Sequence, residues 1–341
     1  MIYSFANDYS EGCHPAILKV LSETNLVQQN GYGDDDYSRS ATTIIRDLTA
    51  SQADVHLIAG GTLTNLVVLS SFLRPFESVI SAQTGHIFSN EAGAIEATGH
   101  KVEAAVTHDG KLRPKDIEPF LNKVRGYHVV RTRAVYISNS TELGTVYTKQ
   151  ELTELHTFCK ANDLILYMDG ARLPMALTAP SNDLTLADIA ALTDVFYIGG
   201  TKCGALLGEA VVISNPELKQ DFKYHLKQRG ALTAKGRVMG IQFDCLLRNN
   251  LIFDLADHAN RMAEKLSKAF AEMKYPLLIE SDTNQVFPVL PNQMVKHMQD
   301  DYGCLLWNII DEDHSAVRFI TSWATPEEVV EKFISTLKEM Q

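Results

Sequence analysis

Positive charge is scarce in this chain of 341 residues: 31 lysines and arginines stand against 42 aspartates and glutamates, for a net charge of −11. Phosphate backbones select basic surfaces, so nucleic acid is not an expected partner, whereas a small anion held by local groups remains open. Apolar runs are short as well. No stretch approaches the ~20 apolar residues that a membrane helix needs. The opening Met1-Ile2-Tyr3-Ser4-Phe5-Ala6-Asn7-Asp8 has neither the basic start nor the apolar run of a signal peptide. Cysteine is sparse: Cys13, Cys159, Cys203, Cys245 and Cys304 are odd in number and lack metal-ligand or redox spacing. Reduced thiols and, by default, a cytoplasmic location are expected, with no metal site. A Gly-x-Gly-x-x-Gly fingerprint and a Gly-Lys-Ser/Thr phosphate loop are both missing, which weakens dinucleotide and P-loop readings.

What is present is an ordinary globular composition, 45% hydrophobic and 21% charged, in a chain long enough for one large domain and a smaller one. Residues 56–59, 79–81, 134–137, 164–168, 195–198 and 210–213 read as strands, and 164–168 has the continuous apolar character of a strand buried on both faces. Helical patterns fall between them: one after Gly60-Gly61-Thr62, one over 90–98 stopped by Gly99, one over 186–192. Another follows Thr148-Lys149-Gln150-Glu151, which has capping-box spacing. This alternation predicts an α/β domain over 1–250 with a mainly parallel, mixed sheet. A long helix over 253–273 then leads to a smaller α+β domain over 251–341. There, strands are expected at 284–290, 305–309 and 317–320, with helices at 293–300 and after Thr325-Pro326-Glu327-Glu328, which reads as a cap, a first-turn proline and a capping-box glutamate.

Polar residues sit where the strands end, the edge at which open α/β sheets collect ligands. The strand at 164–168 runs into Asp169-Gly170-Ala171-Arg172, and that at 195–198 into Gly199-Gly200-Thr201-Lys202. An aspartate, an arginine and a lysine are therefore expected in one cleft, although an Asp-Gly turn and a solvated lysine are the plain alternatives. Gly60-Gly61-Thr62 lies between a strand and a helix, where free amides favour an anion; a simple helix cap explains it equally well. His86, in Thr84-Gly85-His86-Ile87, can stack on a flat ligand or exchange protons near neutral pH. Glu91 also suits a first-turn carboxylate. Arg318 lies within an apolar strand and is costly there unless it meets a carboxylate of the protein or of a substrate.

In this order the elements resemble the threonine aldolase and β-eliminating lyase family of fold-type-I pyridoxal-phosphate (PLP) enzymes. The resemblance runs from Asn7-Asp8 through Gly61-Thr62 with Asn65, His86-Ile87-Phe88 with Glu91 and Gly93-Ala94, Asp169-Gly170-Ala171-Arg172 and Lys202, to Arg318 before Thr321. It implies pyridoxal 5'-phosphate carried by Lys202 as a Schiff base, with Asp169 on the ring nitrogen and His86 on the ring. By the same resemblance Gly61 and Thr62 bind the phosphate, and Arg172 and Arg318 grip the substrate carboxylate. Asn7 stands where threonine aldolases commonly have a serine at the substrate site. A homodimer or homotetramer with shared sites is implied too, in which Tyr32, Gly33, Asp34, Lys235 and Arg237 serve a neighbouring subunit, Tyr32 toward substrate and Arg237 toward cofactor. The family's second histidine has no counterpart in Asn139-Ser140-Thr141-Glu142, and its Gly-Gly-Gly-Met-Arg stretch becomes Leu232-Thr233-Ala234-Lys235-Gly236-Arg237.

The expected reaction is cleavage of threonine or allo-threonine to glycine and an aldehyde. The base could be His86, a water, or a group near Thr141-Glu142. β-Elimination on a serine-, cysteine- or aromatic-type amino acid is the alternative, followed by a non-catalytic PLP-binding protein and, more remotely, a nicotinamide dehydrogenase.

Overall fold

The computed structural model describes residues 2–121 and 126–340. Seven strands form the main sheet: β1 (Asp54–Ile58), β2 (Glu77–Ala82), β3 (Lys101–Ala105), β4 (Arg131–Ser138), β5 (Ile165–Asp169), β6 (Val195–Gly199) and β7 (Glu209–Ile213). Their order is β1-β7-β6-β5-β4-β2-β3. Pairings are parallel from β6 through β5, β4 and β2 to β3, while β7 runs antiparallel to both of its neighbours, β6 and β1. The sheet is thus parallel except for one strand, the mixed α/β architecture expected.

Side-chain alternation divides the central strands between two cores. Val135, Ile137, Leu166, Met168, Phe196 and Ile198 face one. Ala134, Tyr136, Ile165, Tyr167, Val195 and Tyr197 face the other. Burial on both faces explains why β5 reads as an unbroken apolar run. The helix Lys149–Ala161 lays Leu152, Leu155 and Cys159 on the first core, and its capping box between Thr148 and Glu151 forms as its spacing predicts. The helix Gly61–Phe72 covers the second core with Val67, Val68 and Leu69.

After the helix Leu251–Glu272 come four short strands, β8 (Gln285–Val286), β9 (Val289–Pro291), β10 (Leu305–Ile309) and β11 (His314–Ile320). All pairings among them are antiparallel. A third core gathers Phe270, Phe319 and Phe333 here, and Phe5 from the amino-terminal segment packs into it.

Three local expectations need correction. The single helix over 90–98 is instead a short helix, His86–Ser89, and a 3-10 turn, Glu96–Thr98, because Ala92 and Gly93 both take positive φ, 50° and 72°. The strand over 284–290 is two strands, interrupted where Pro288 supplies no amide for a ladder. Thr325 does not cap the last helix, Glu327–Glu339; its hydroxyl instead accepts from the Ser322 amide at 2.7 Å and from the Tyr3 hydroxyl at 3.2 Å.

Candidate active site

Strand direction assembles the site. β1 ends before Gly60-Gly61-Thr62, β2 before His86, β4 before Ser140 and Glu142, β5 at Asp169 and β6 before Lys202. All these ends lie on one edge of the sheet. Because β7 is antiparallel, its first residue, Glu209, reaches the same edge, in register with Gly199 and Ile58. These residues, with Tyr9 and Arg172, line one cavity of about 220 Å³.

Two glycines allow β5 and β6 to converge there. A Cβ on Gly170 would lie 1.7 Å from the Tyr197 carbonyl oxygen, and one on Gly199 would lie 2.4 Å from that of Ala171. Both obstacles are backbone, which cannot swing aside. Gly170→Ala is therefore expected to cost about 3 kcal/mol or more, read as a lowered melting temperature in thermal unfolding.

Asp169 is the most heavily supported group of the site. It is 4% exposed, and its Oδ1 accepts from the Tyr197 hydroxyl at 2.5 Å and the Ala171 amide at 2.9 Å. Its Oδ2 accepts from the Tyr136 hydroxyl at 2.6 Å and Asn65 Nδ2 at 3.2 Å. Burial and the charge of Asp169 push both phenols well above their usual range, so they remain donors. Asn65 also donates to Glu91 at 2.7 Å and accepts from Tyr167 at 2.6 Å, while His86 Nδ1 meets the same Glu91 oxygen at 2.8 Å. The other Glu91 oxygen is buried without a hydrogen-bond partner among the described residues, as is the Ser140 hydroxyl.

Lys202 is half-buried and lines the cavity. Burial, with the Arg172 charge beside it, lowers the pKa of its amine, although Asp8, Asp169 and Glu209 oppose that shift. Burial drives Glu209 up to about 8, against a hydrogen bond of 2.8 Å from Thr201 and the Lys202 charge. Desolvation thus favours neutrality at both groups, and a neutral amine is the form that adds to an aldehyde carbon.

Arg172 is held by Asp8, Nε to Oδ2 at 2.7 Å and Nη2 to Oδ1 at 3.1 Å, and Asn284 Nδ2 donates to the same carboxylate at 2.9 Å. Burial opposes the charge of Asp8, yet Arg172 and Lys202 hold its carboxyl below the usual range. Arg318 meets no protein carboxylate among the described residues, contrary to one of the two expectations for it. Its guanidinium lies over the Trp307 ring at 5.0 Å, and its Nε is buried without a hydrogen-bond partner among the described residues. Burial and the neighbouring Arg172 charge lower its pKa to about 10. Both guanidinium groups feel the carboxylates of Asp8 and Glu142, but among the described residues only Arg172 is hydrogen-bonded to one, which leaves Arg318 open to an incoming anion.

The structure does not bring every candidate into this cavity. Asn7 closes a local turn, accepting from the Tyr9 amide at 2.9 Å and the Ser10 hydroxyl at 3.0 Å, while its neighbours Asp8 and Tyr9 face the site. Tyr32, Gly33 and Asp34 line a separate cavity of about 290 Å³. Arg237 binds the carbonyl oxygens of Val27 at 2.5 Å and Thr24 at 2.7 Å instead of a site group.

Residues absent from the sequence expectation are Glu209 and the phenols around Asp169. A signal for the phenols exists: Tyr136, Tyr167 and Tyr197 each stand two residues before the last residue of β4, β5 and β6. That common register puts a tyrosine on the same face of three adjacent strands.

The residues fit pyridoxal phosphate: a buried carboxylate fixed by several donors, a half-buried lysine, a flat imidazole, and a helix amino terminus at Gly61 and Thr62 within one cavity. Such a fold and site define a PLP-dependent enzyme of fold type I. Its architecture is shared with an aromatic aminotransferase of Pyrococcus horikoshii at a TM-score of 0.72 and 17% identity, covering 99% of this chain and 96% of that one. The chain belongs to the β-eliminating lyase family, whose model matches residues 9–293. It is 32% identical to the low specificity L-threonine aldolase of Pseudomonas aeruginosa over 98% of this chain and 96% of the relative. A solved threonine aldolase structure from Leishmania major superposes with a TM-score of 0.97 and 48% identity, covering 99% of both chains. The protein is accordingly a PLP-dependent lyase.

Proposed function

We propose that this enzyme cleaves threonine or allo-threonine to glycine and acetaldehyde. The carrying observation is the meeting of Lys202 and Asp169 with Arg172 and its buried partner Asp8 at one sheet edge; the full-length likeness to threonine aldolases supports the same substrate. In this reading Gly61 and Thr62 hold the cofactor phosphate, Asp169 its ring nitrogen, His86 its ring face and Lys202 its aldehyde carbon. When bound, the cofactor supplies an acceptor for the electron pair released at Cα.

Arg172 and Arg318 bind the substrate carboxylate, and the Asp8 clamp fixes the orientation of Arg172. That orientation decides which bond at Cα is aligned for cleavage. Arg172→Lys removes the planar fork and is expected to raise KM for L-threonine roughly 10- to 100-fold, as a bidentate contact becomes a point charge; initial-rate kinetics read this directly. Acetaldehyde release from L-threonine and L-allo-threonine tests the reading as a whole. Pyruvate release from L-serine without aldehyde from either threonine would replace it with β-elimination.

A homodimer or homotetramer is part of the proposal. The separate cavity at Tyr32, Gly33 and Asp34 supports it as a surface available to a second subunit, and light scattering of the purified protein counts the subunits. Five free thiols, Cys13, Cys159, Cys203, Cys245 and Cys304, support a reducing, cytoplasmic location, and no described helix is long and apolar enough to cross a membrane.

A further inference from the structure

Glu142 lies in the loop after β4, in the stretch Asn139-Ser140-Thr141-Glu142 that carries no histidine. One of its oxygens is fixed: Oε1 accepts from the His86 backbone amide at 2.9 Å and from the Ser138 hydroxyl at 2.8 Å. Its Oε2 takes no hydrogen bond from another of the described residues, and the side chain lines the cavity. A carboxylate anchored by one oxygen and open at the other is arranged to accept a proton from a bound ligand. His86 is less free for this task, since Nδ1 is engaged by Glu91 at 2.8 Å.

Resting on the threonine-cleavage reading, we infer that Glu142 is the general base that takes the β-hydroxyl proton of the substrate. The O–H bond breaks toward Oε2, and its electron pair becomes the second carbon–oxygen bond of the aldehyde. The Cα–Cβ bond breaks with its pair passing to Cα, into the electron acceptor already described. Glu142 then releases its proton to solvent while Cα takes one up, so threonine becomes glycine and acetaldehyde with no net proton change.

The surroundings suit a base that must also release its proton. Burial raises the pKa of Glu142 and the Asp169 charge adds to that, while the Ser138 hydrogen bond and His86 act in the opposite sense. Groups facing it come from several elements: His86 and Glu91 after β2, Tyr136 on β4, Asp169 and Arg172 at the end of β5, and Arg318 on β11. Lys202 and Tyr9 line the same cavity. A carboxylate protonated above the ordinary range is more effective as a general base near neutral pH than a fully solvated one.

The test uses Glu142→Gln in the cofactor-loaded enzyme, since an amide oxygen can keep the His86 and Ser138 hydrogen bonds. Expected is a fall of about 10²-fold in kcat for L-threonine, with KM within about threefold and loss of the acid limb of the kcat–pH profile. Exchange of the glycine α-proton with heavy water, followed by NMR, is expected to persist, because that step involves no β-hydroxyl. Ser138→Ala provides an independent check: losing a hydrogen bond that lowers the Glu142 pKa must move the acid limb to higher pH. Cleavage within threefold of wild type in Glu142→Gln, or an unmoved limb in Ser138→Ala, overturns the assignment. A wild-type enzyme that exchanges the glycine proton yet releases no aldehyde from threonine refutes instead the cleavage reading beneath it.

Discussion

Replacing Lys202 with alanine is expected to lower kcat/KM for L-threonine by at least about four orders of magnitude, the scale of losing a covalent catalytic group. The side chain lines the cavity and belongs to none of the three apolar cores. Its amine also lies beside Arg172, a like charge that lowers its pKa. Removing it relieves that repulsion and gives up the attraction of Asp8, Asp169 and Glu209, two opposing changes, and the cofactor-free variant should unfold at a temperature close to that of wild type. Activity and stability therefore separate. Borohydride reduction followed by mass spectrometry of the peptides reads the covalent link directly: wild type gains the cofactor mass on the peptide containing residue 202, and the variant gains none. A variant retaining more than a tenth of wild-type activity would remove Lys202 from the mechanism.

How much of this was legible beforehand depended on whether the signal was local. The Thr148 to Glu151 capping box forms because its partners lie within one helical turn. β5 and β6 could be read because burial on both faces leaves an apolar run whose end is marked by polar residues, and Asp169 and Lys202 stand there. Glu209 shows the opposite case. It begins a strand, and a reading that looks for chemistry where strands end passes over it; only the antiparallel sense of β7 carries it to the functional edge. Asn7 and Asp8 are adjacent in the chain and differ in function for a reason the sequence does not express: the turn made by Asn7 points its neighbour at Arg172. Arg318 was recognisable as an arginine among apolar neighbours, but its contact with Trp307 depends on the pairing of β10 with β11. Tyr32 and Arg237 were linked to the site by resemblance alone, and within one chain they face a different cavity and a pair of backbone carbonyls.

The second large effect is expected at Asp169, where the role in chemistry and the role in folding can be pulled apart by two substitutions. Asp169→Ala removes the acceptor of four donors at once: the hydroxyls of Tyr136 and Tyr197, the Asn65 amide group and the Ala171 backbone amide. Each buried donor left unpaired costs about 1–3 kcal/mol, though water entering the vacated space offsets part of this. A net loss of about 3–5 kcal/mol is expected in denaturant unfolding, on the scale of breaking a buried ionic network. Asp169→Asn keeps the shape and one carbonyl oxygen. Its amide donor faces a phenol, whose hydroxyl can rotate from donor to acceptor, and also Asn65 Nδ2 or the Ala171 amide, which cannot, so about one buried donor is left unpaired and the loss of stability should be a fraction of that in Asp169→Ala. What the amide cannot supply is the negative charge that holds a proton on the cofactor's ring nitrogen, and cleavage should fall by about 10³-fold or more in both variants. Tyr136→Phe added to Asp169→Ala removes one stranded donor and should recover part of the lost stability without recovering activity. If Asp169→Asn instead cleaves threonine at close to the wild-type rate, the tyrosine-bound carboxylate is a structural brace, and the charge that keeps the ring nitrogen protonated must come from elsewhere in the cavity.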